Sequence, residues 1–110
     1  MDRNIKFLKA MADDTRIKIL QCLLNGEQCA CAIVPCIGKA QPTVSKHLKV
    51  LEEAEIIESR RDGINIWYKI QSDEAVKIMD ILGIEKIEYE GSQQCVQPAG
   101  LQKVARNLTK

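Results

Sequence analysis

Apolar side chains recur along the first half of the chain at three- and four-residue intervals, the spacing that gathers them on one side of an α-helix. Ile5, Leu8 and Ala12, with Phe7 and Met11 beside them, predict a helix over residues 3–12. Asp13-Asp14-Thr15 then offers side-chain oxygens to the free amides of a new first turn. Ile17, Leu20, Leu23 and Leu24 predict a second helix reaching Asn25, with Gly26 as its C-cap. Residues 27–34 suit a short third helix, which Pro35 is expected to stop and Gly38 to close. Gln41-Pro42 opens the next one, because a proline in the first turn gives up no hydrogen bond and its fixed φ already suits the helix. Val44, Leu48 and Leu51 line one face of this helix over residues 42–54.

The period then drops to two. Ile64, Ile66, Tyr68 and Ile70 alternate with Asn65, Trp67 and Lys69, which predicts a half-buried strand. Asp62-Gly63 predicts the hairpin turn that pairs it with a strand near residues 57–61. Ser72-Asp73-Glu74 starts a last helix that runs to Leu82. Its apolar residues, Ala75, Val76, Ile78, Met79, Ile81 and Leu82, form a stripe wide enough for both the core and a second subunit. After residue 83 the pattern weakens and Gly91, Pro98 and Gly100 interrupt it. The expected organisation is a folded unit over 1–83 and a partly ordered C-terminal extension over 84–110. The order α-α-α-α-β-β-α, mainly α with one β-hairpin, is that of a winged helix-turn-helix.

The 110 residues fit a single domain. No apolar run approaches the roughly 18 residues of a membrane span. The opening Met1-Asp2-Arg3-Asn4 leads into an amphipathic segment rather than a secretory signal, so a cytoplasmic address is expected. One histidine, no glycine-rich phosphate loop and no nucleophile–base pair argue against an enzyme. Sixteen basic and fifteen acidic residues leave a net charge of +1, so only local placement of charge can identify a nucleic-acid partner.

That placement is informative. The helix opened by Pro42 carries Thr43, Ser45, Lys46, His47 and Lys49 outside its apolar face, with Gln41 at its mouth. Short polar donors and basic groups on one helix suit base edges and phosphates of the DNA major groove. Arg60 and Arg61, beside the hairpin tip, suit an adjacent minor groove or backbone. Taken alone, such a helix reads as a solvated face, and Glu52, Glu53, Glu55, Glu58 and Asp62 favour that reading. The ordered set of short helix, proline-started polar helix and basic-tipped hairpin tilts it toward double-stranded DNA.

Asp14-Thr15-Arg16-Ile17-Lys18-Ile19-Leu20, Gly26-Glu27 and the string from Gln41 through Pro42, Thr43, Val44, Ser45, Lys46, His47 and Leu48 to Leu51 resemble the ArsR/SmtB family of bacterial and archaeal repressors. The likeness continues through Ile56-Ile57 and Arg61-Asp62-Gly63 to Tyr68 and covers residues 3–82. It implies a homodimer with the first and last helices at the interface, a two-fold-symmetric operator, and release when an inducer binds.

Five cysteines, an odd number in a chain expected in the cytosol, point to metal or redox chemistry rather than a disulfide framework. Cys22, beside Leu23, reads as core packing. Cys29-Ala30-Cys31 is similar to the Cys-x-Cys of the arsenic- and cadmium-sensing members of that family. The third cysteine of the arsenic-sensing pattern is replaced by Val34; Cys36 stands two residues further on, and Cys95 is the other candidate.

Thiolates select soft ions, and three of them suit As(III) or Sb(III). Cd(II), Pb(II), Zn(II) or cysteine oxidation are the alternative triggers. On a regular helix residues two apart point about 200° from each other. Ligation by Cys29 and Cys31 is therefore expected to distort their turn and loosen the neighbouring DNA-reading helix. Residues 73–86 contain no histidine, which argues against the family's other sensor site, on the last helix. Two rivals of other classes remain: a zinc-stabilised interaction module, which chelation would unfold, and a thiol enzyme, which lacks a base.

Overall fold

In the computed structural model, which describes residues 2–87, α1 (Arg3–Met11) turns tightly into α2 (Asp14–Leu23). An aspartate caps each of them. Asp2 accepts from the Asn4 amide at 2.8 Å and Asp13 from the Arg16 amide at 3.0 Å, satisfying donors that a first turn leaves free. There follow β1 (Gln28–Cys29), α3 (Ala30–Ile37), α4 (Gln41–Glu53), β2 (Ile57–Asp62), β3 (Asn65–Ile70) and α5 (Asp73–Ile81). This is the expected winged helix-turn-helix, with one addition. Gln28 and Cys29 are not helical; they form a short third strand, giving the antiparallel order β1-β3-β2.

Two turns also differ from expectation. The hairpin loop is Gly63-Ile64, not Asp62-Gly63, since Asp62 pairs with Asn65. Gly63 takes φ +66° at the first loop position, where a two-residue hairpin of this hand needs glycine. Pro35 does not stop α3. The helix runs past it to Ile37 and ends at Gly38, whose left-handed φ of +78° lets its amide reach the Val34 carbonyl at 3.0 Å. In so short a helix the proline removes only the donor that would reach the Cys31 carbonyl.

The core lies between the helices and one face of the sheet. Ile19, Leu20, Ile33, Leu51, Ile56 and Ile57 are fully enclosed. Val44 and Leu48 join Leu51 as the apolar face of α4, as their spacing requires. Glu55 adopts φ +64° after α4, and the Ile56 amide closes back on the Leu51 carbonyl at 3.0 Å, a cap that usually recruits glycine.

Residues 84–87 continue the folded unit beyond the expected boundary. Gln21 donates to the Glu85 carbonyl at 2.8 Å, and Asn25 to that of Ile87 at 2.9 Å. The remainder of the 84–110 extension, with Cys95, lies outside the described residues.

Candidate DNA interface and thiol cluster

α4 presents Gln41, Thr43, Ser45, Lys46 and Lys49 to solvent on one exposed side while Val44, Leu48 and Leu51 fix the other in the core. Its N-cap, Ala40, has no side-chain capping bond, so the positive end of a 13-residue helix is left open to an anion such as phosphate. None of Lys46, Lys49 and Arg61 forms an ion pair among the described residues. Those charges are therefore available to phosphates.

Two expected DNA residues sit differently. His47 is only 22% exposed and turns toward the start of α2, with Nδ1 3.1 Å from Arg16 Nη1 and 3.9 Å from Asp13 Oδ2. Arg60 is engaged within the fold. Its Nε and Nη2 donate to the two carboxylate oxygens of Glu27, each at 2.9 Å, and its guanidinium lies 5.7 Å from the centre of the Trp67 ring. That hydrogen bond, followed by the charges of Glu27 and Asp62, raises the affinity of Arg60 for its proton. Arg61, next along the strand, is exposed. Alternation decides the difference, because successive strand residues face opposite sides.

The alternation along β3 also needs amendment. Tyr68 and Ile70 pack on the main core as expected, but Ile64 is 94% exposed and Trp67, on the other face, is buried. Trp67 forms a separate small cluster with Cys29 and Ala32 under β1. Burial, and secondarily the charge of Glu52, holds the Tyr68 hydroxyl above its ordinary pKa range.

The cysteines meet in two pairs. Cys29 joins Cys31, and Cys22 joins Cys36, linking α2 to α3, each as a disulfide. Cys22 is buried in the core, as its neighbourhood implied. Cys36 is turned to Cys22 rather than to the Cys29–Cys31 pair, and no group of three or more metal-type ligands forms among the described residues. On reduction, the donors that the fold brings to one place are two thiols, buried Cys29 and exposed Cys31.

The premise of the expected distortion, that both cysteines lie on a regular helical turn, does not hold. Cys29 is the N-cap of α3, with extended φ −85° and ψ 157°, and its sulfur accepts from the Cys31 amide at 3.1 Å. At a cap the chain has not yet begun to coil, so both sulfurs converge without unwinding anything.

The family model described as bacterial regulatory protein, arsR family, matches residues 13–59. An HTH-type transcriptional regulator of Methanocaldococcus jannaschii is 38% identical over 85 residues, covering 74% of this chain and 96% of its own. The arsenical resistance operon repressor of Staphylococcus aureus is 36% identical over 89 residues, covering 81% of this chain and 83% of its own. This chain belongs to the arsR family of bacterial regulatory proteins. Arsr-family chains are DNA-binding transcription regulators, not enzymes, and the exposed face of α4 fits that role. Among solved structures, the homodimeric winged helix-turn-helix DNA-binding domain from Mycobacterium bovis has a TM-score of 0.69 at 28% identity, covering 76% of this chain and 77% of that one. Among the described residues, no helix is long and apolar enough to cross a membrane.

Sequence reading missed the Glu27–Arg60 and Arg16–His47 contacts. These partners stand 33 and 31 residues apart, and no local pattern joins them.

Proposed function

We propose that this chain is a cytoplasmic, metalloid-responsive repressor that holds operator DNA as a homodimer and releases it when As(III) or Sb(III) binds cysteine thiolates. The observation that carries the reading is the convergence of Cys29 and Cys31 at the start of α3, the helix packed against α4. A thiol-bound ion there sits one element away from the DNA-reading helix. Gln41, Thr43 and Ser45 are the base-edge candidates, Lys46, Lys49 and Arg61 the phosphate contacts. His47 and Arg60 act on DNA through the packing they maintain.

Dimerisation is supported by the apolar side chains that α1 and the end of α5 leave in solvent. Ile5 is 46% exposed, Leu8 53%, Ile81 80% and Leu82 66%. Such a patch is unfavourable on a monomer.

The inducer site is Cys29 and Cys31, with Cys36 as third thiolate once it parts from Cys22. A bound ion would supply soft, thiolate-selective charge at the α3 cap. In the second reading the trigger is oxidation or Cd(II), Pb(II) or Zn(II); the pairing of Cys22 with Cys36 favours its oxidative form. The test is to titrate the protein–operator complex separately with arsenite, cadmium, lead, zinc and peroxide, using wild type and each Cys→Ser variant. Release by arsenite that depends on Cys29 and Cys31 supports the first reading. Release by peroxide that depends on Cys22 and Cys36 supports the second.

A further inference from the structure

We propose that Trp67 is a positioning residue that ties occupancy of Cys29 and Cys31 to the arginine of the wing; this rests on the sensor reading above. Trp67 is the chain's single tryptophan. It lies opposite Cys29 in the β1–β3 pairing and opposite Arg60 in the β2–β3 pairing. On one side it packs with Cys29 and Ala32 in a cluster apart from the main core. Its ring also carries the Arg60 guanidinium at 5.7 Å, within cation–π range. Glu27, two residues before Cys29, grips the same guanidinium with both carboxylate oxygens. The segment from Glu27 to Cys29 therefore holds Arg60 twice, once by charge and once through the indole.

An independent observation marks Trp67 as unfinished. It is 7% exposed, and its Nε1–H has no acceptor among the described residues. A buried donor is costly in that state and gains most when an acceptor arrives. The chemistry of loading supplies one. Once a thiol reductant has opened the Cys29–Cys31 disulfide, arsenous acid and the two thiols give a dithiolate arsenic that keeps one hydroxyl, plus two waters. Two As–O bonds break, two As–S bonds form, and no electron changes hands. Cys36 is placed toward Cys22, so before it joins as third thiolate two thiols are what this site offers, and the retained hydroxyl is an acceptor of the kind the indole lacks.

Cys29 is 1% exposed, so an atom added to its sulfur must displace a neighbour. Ala32 and Trp67 are the neighbours in its cluster, and the indole is the larger. Its shift moves the platform beneath Arg60, and with it the β2–β3 wing that carries Arg61.

The experiment uses the reduced full chain and arsenite as probe. Trp67 emission should change in a saturating, stoichiometric way, and the change should vanish in Cys31→Ser. Trp67→Phe should still consume thiols with arsenite, while the ratio of operator affinities without and with arsenite falls by at least about fivefold from the wild-type ratio. Glu27→Gln leaves the core untouched; it should keep the emission response and also shrink that ratio. The proposal is overturned if emission stays constant while thiols are consumed, or if Trp67→Phe and Glu27→Gln both release DNA as wild type does. Release that persists in the Cys29→Ser, Cys31→Ser double variant overturns the sensor reading itself, and this one with it. Loss of release there, with an unresponsive Trp67, overturns this inference alone.

Discussion

Arg16 and His47 clamp α4 to the start of α2. Arg16 Nη1 lies 3.1 Å from His47 Nδ1, and since an arginine only donates, that nitrogen accepts in the tautomer that leaves it unprotonated. The same guanidinium reaches the Ala10 carbonyl at 2.6 Å and that of Lys9 at 3.2 Å, closing the C-terminal end of α1. One side chain thus joins α1, α2 and α4, and His47 is turned toward that junction.

Asp13 completes this junction and gives it a pH signature. Its carboxyl is held below the ordinary 3.8, first by the Arg16 backbone N–H and then by the charges of Arg16 and His47, against an opposing effect of burial. A depressed folded-state pKa contributes stability that is present above the unfolded value and is lost as pH falls through the lower, folded one. Asp13→Ala should cost about 1 kcal/mol at neutral pH through the lost cap. It should also flatten the acid limb of stability. Thermal melts by circular dichroism from neutral pH to below the ordinary carboxylate range check both; parallel acid limbs in the two proteins would contradict the assignment.

Arg60 and Arg61 should behave differently on DNA although they are adjacent. Arg61→Ala and Lys46→Ala should each weaken binding across sequences and lower the salt slope by about one unit, the mark of a lost phosphate contact. Arg60 already neutralises Glu27, so Arg60→Ala should change affinity with a smaller change in slope. Fluorescence anisotropy over a range of salt concentrations distinguishes them. Equal slopes for both arginine variants would mean that Arg60 leaves Glu27 to bind DNA.

Cys29→Ser combined with Cys31→Ser should keep operator affinity and abolish release by arsenite. In the wild type, release should strengthen as pH rises, because a thiol must lose its proton to ligate. A gel-shift series over pH measures both effects. A response to arsenite that is flat with pH would speak against thiolate coordination.

The exposed apolar face of α1 and α5 should be where two copies meet. Leu8→Glu or Ile81→Asp places a charge in that patch and should convert a dimer to a folded monomer, as read by sedimentation. Operator affinity should drop together with dimer content, since paired half-sites need paired readers. A variant that stays dimeric would locate the interface elsewhere.

Local chemistry made most of the fold legible. The caps at Asp13 and Ser72 lie where the sequence predicts them; Ser72 Oγ accepts from the Ala75 amide at 3.1 Å. The apolar face of α4 follows from its spacing alone. Each of these is settled by residues within one or two turns. The misplaced features depend on distant partners. Gln28 and Cys29 read as helix because only β3, about forty residues later, draws them into a strand. The hairpin loop shifted by one residue because strand pairing, not the Asp62-Gly63 dipeptide, fixed its register.

The sequence by itself determined the helical and strand periods, the polar outer face of α4 and the presence of a Cys-x-Cys, because spacing along one chain segment is enough to specify them. Only the tertiary structure decided that Cys36 faces Cys22, that His47 points inward to Arg16, and that Trp67 stands between Cys29 and Arg60. The physical reason is that each is a choice of partner between segments far apart in sequence, made when α2, α3 and the sheet pack together.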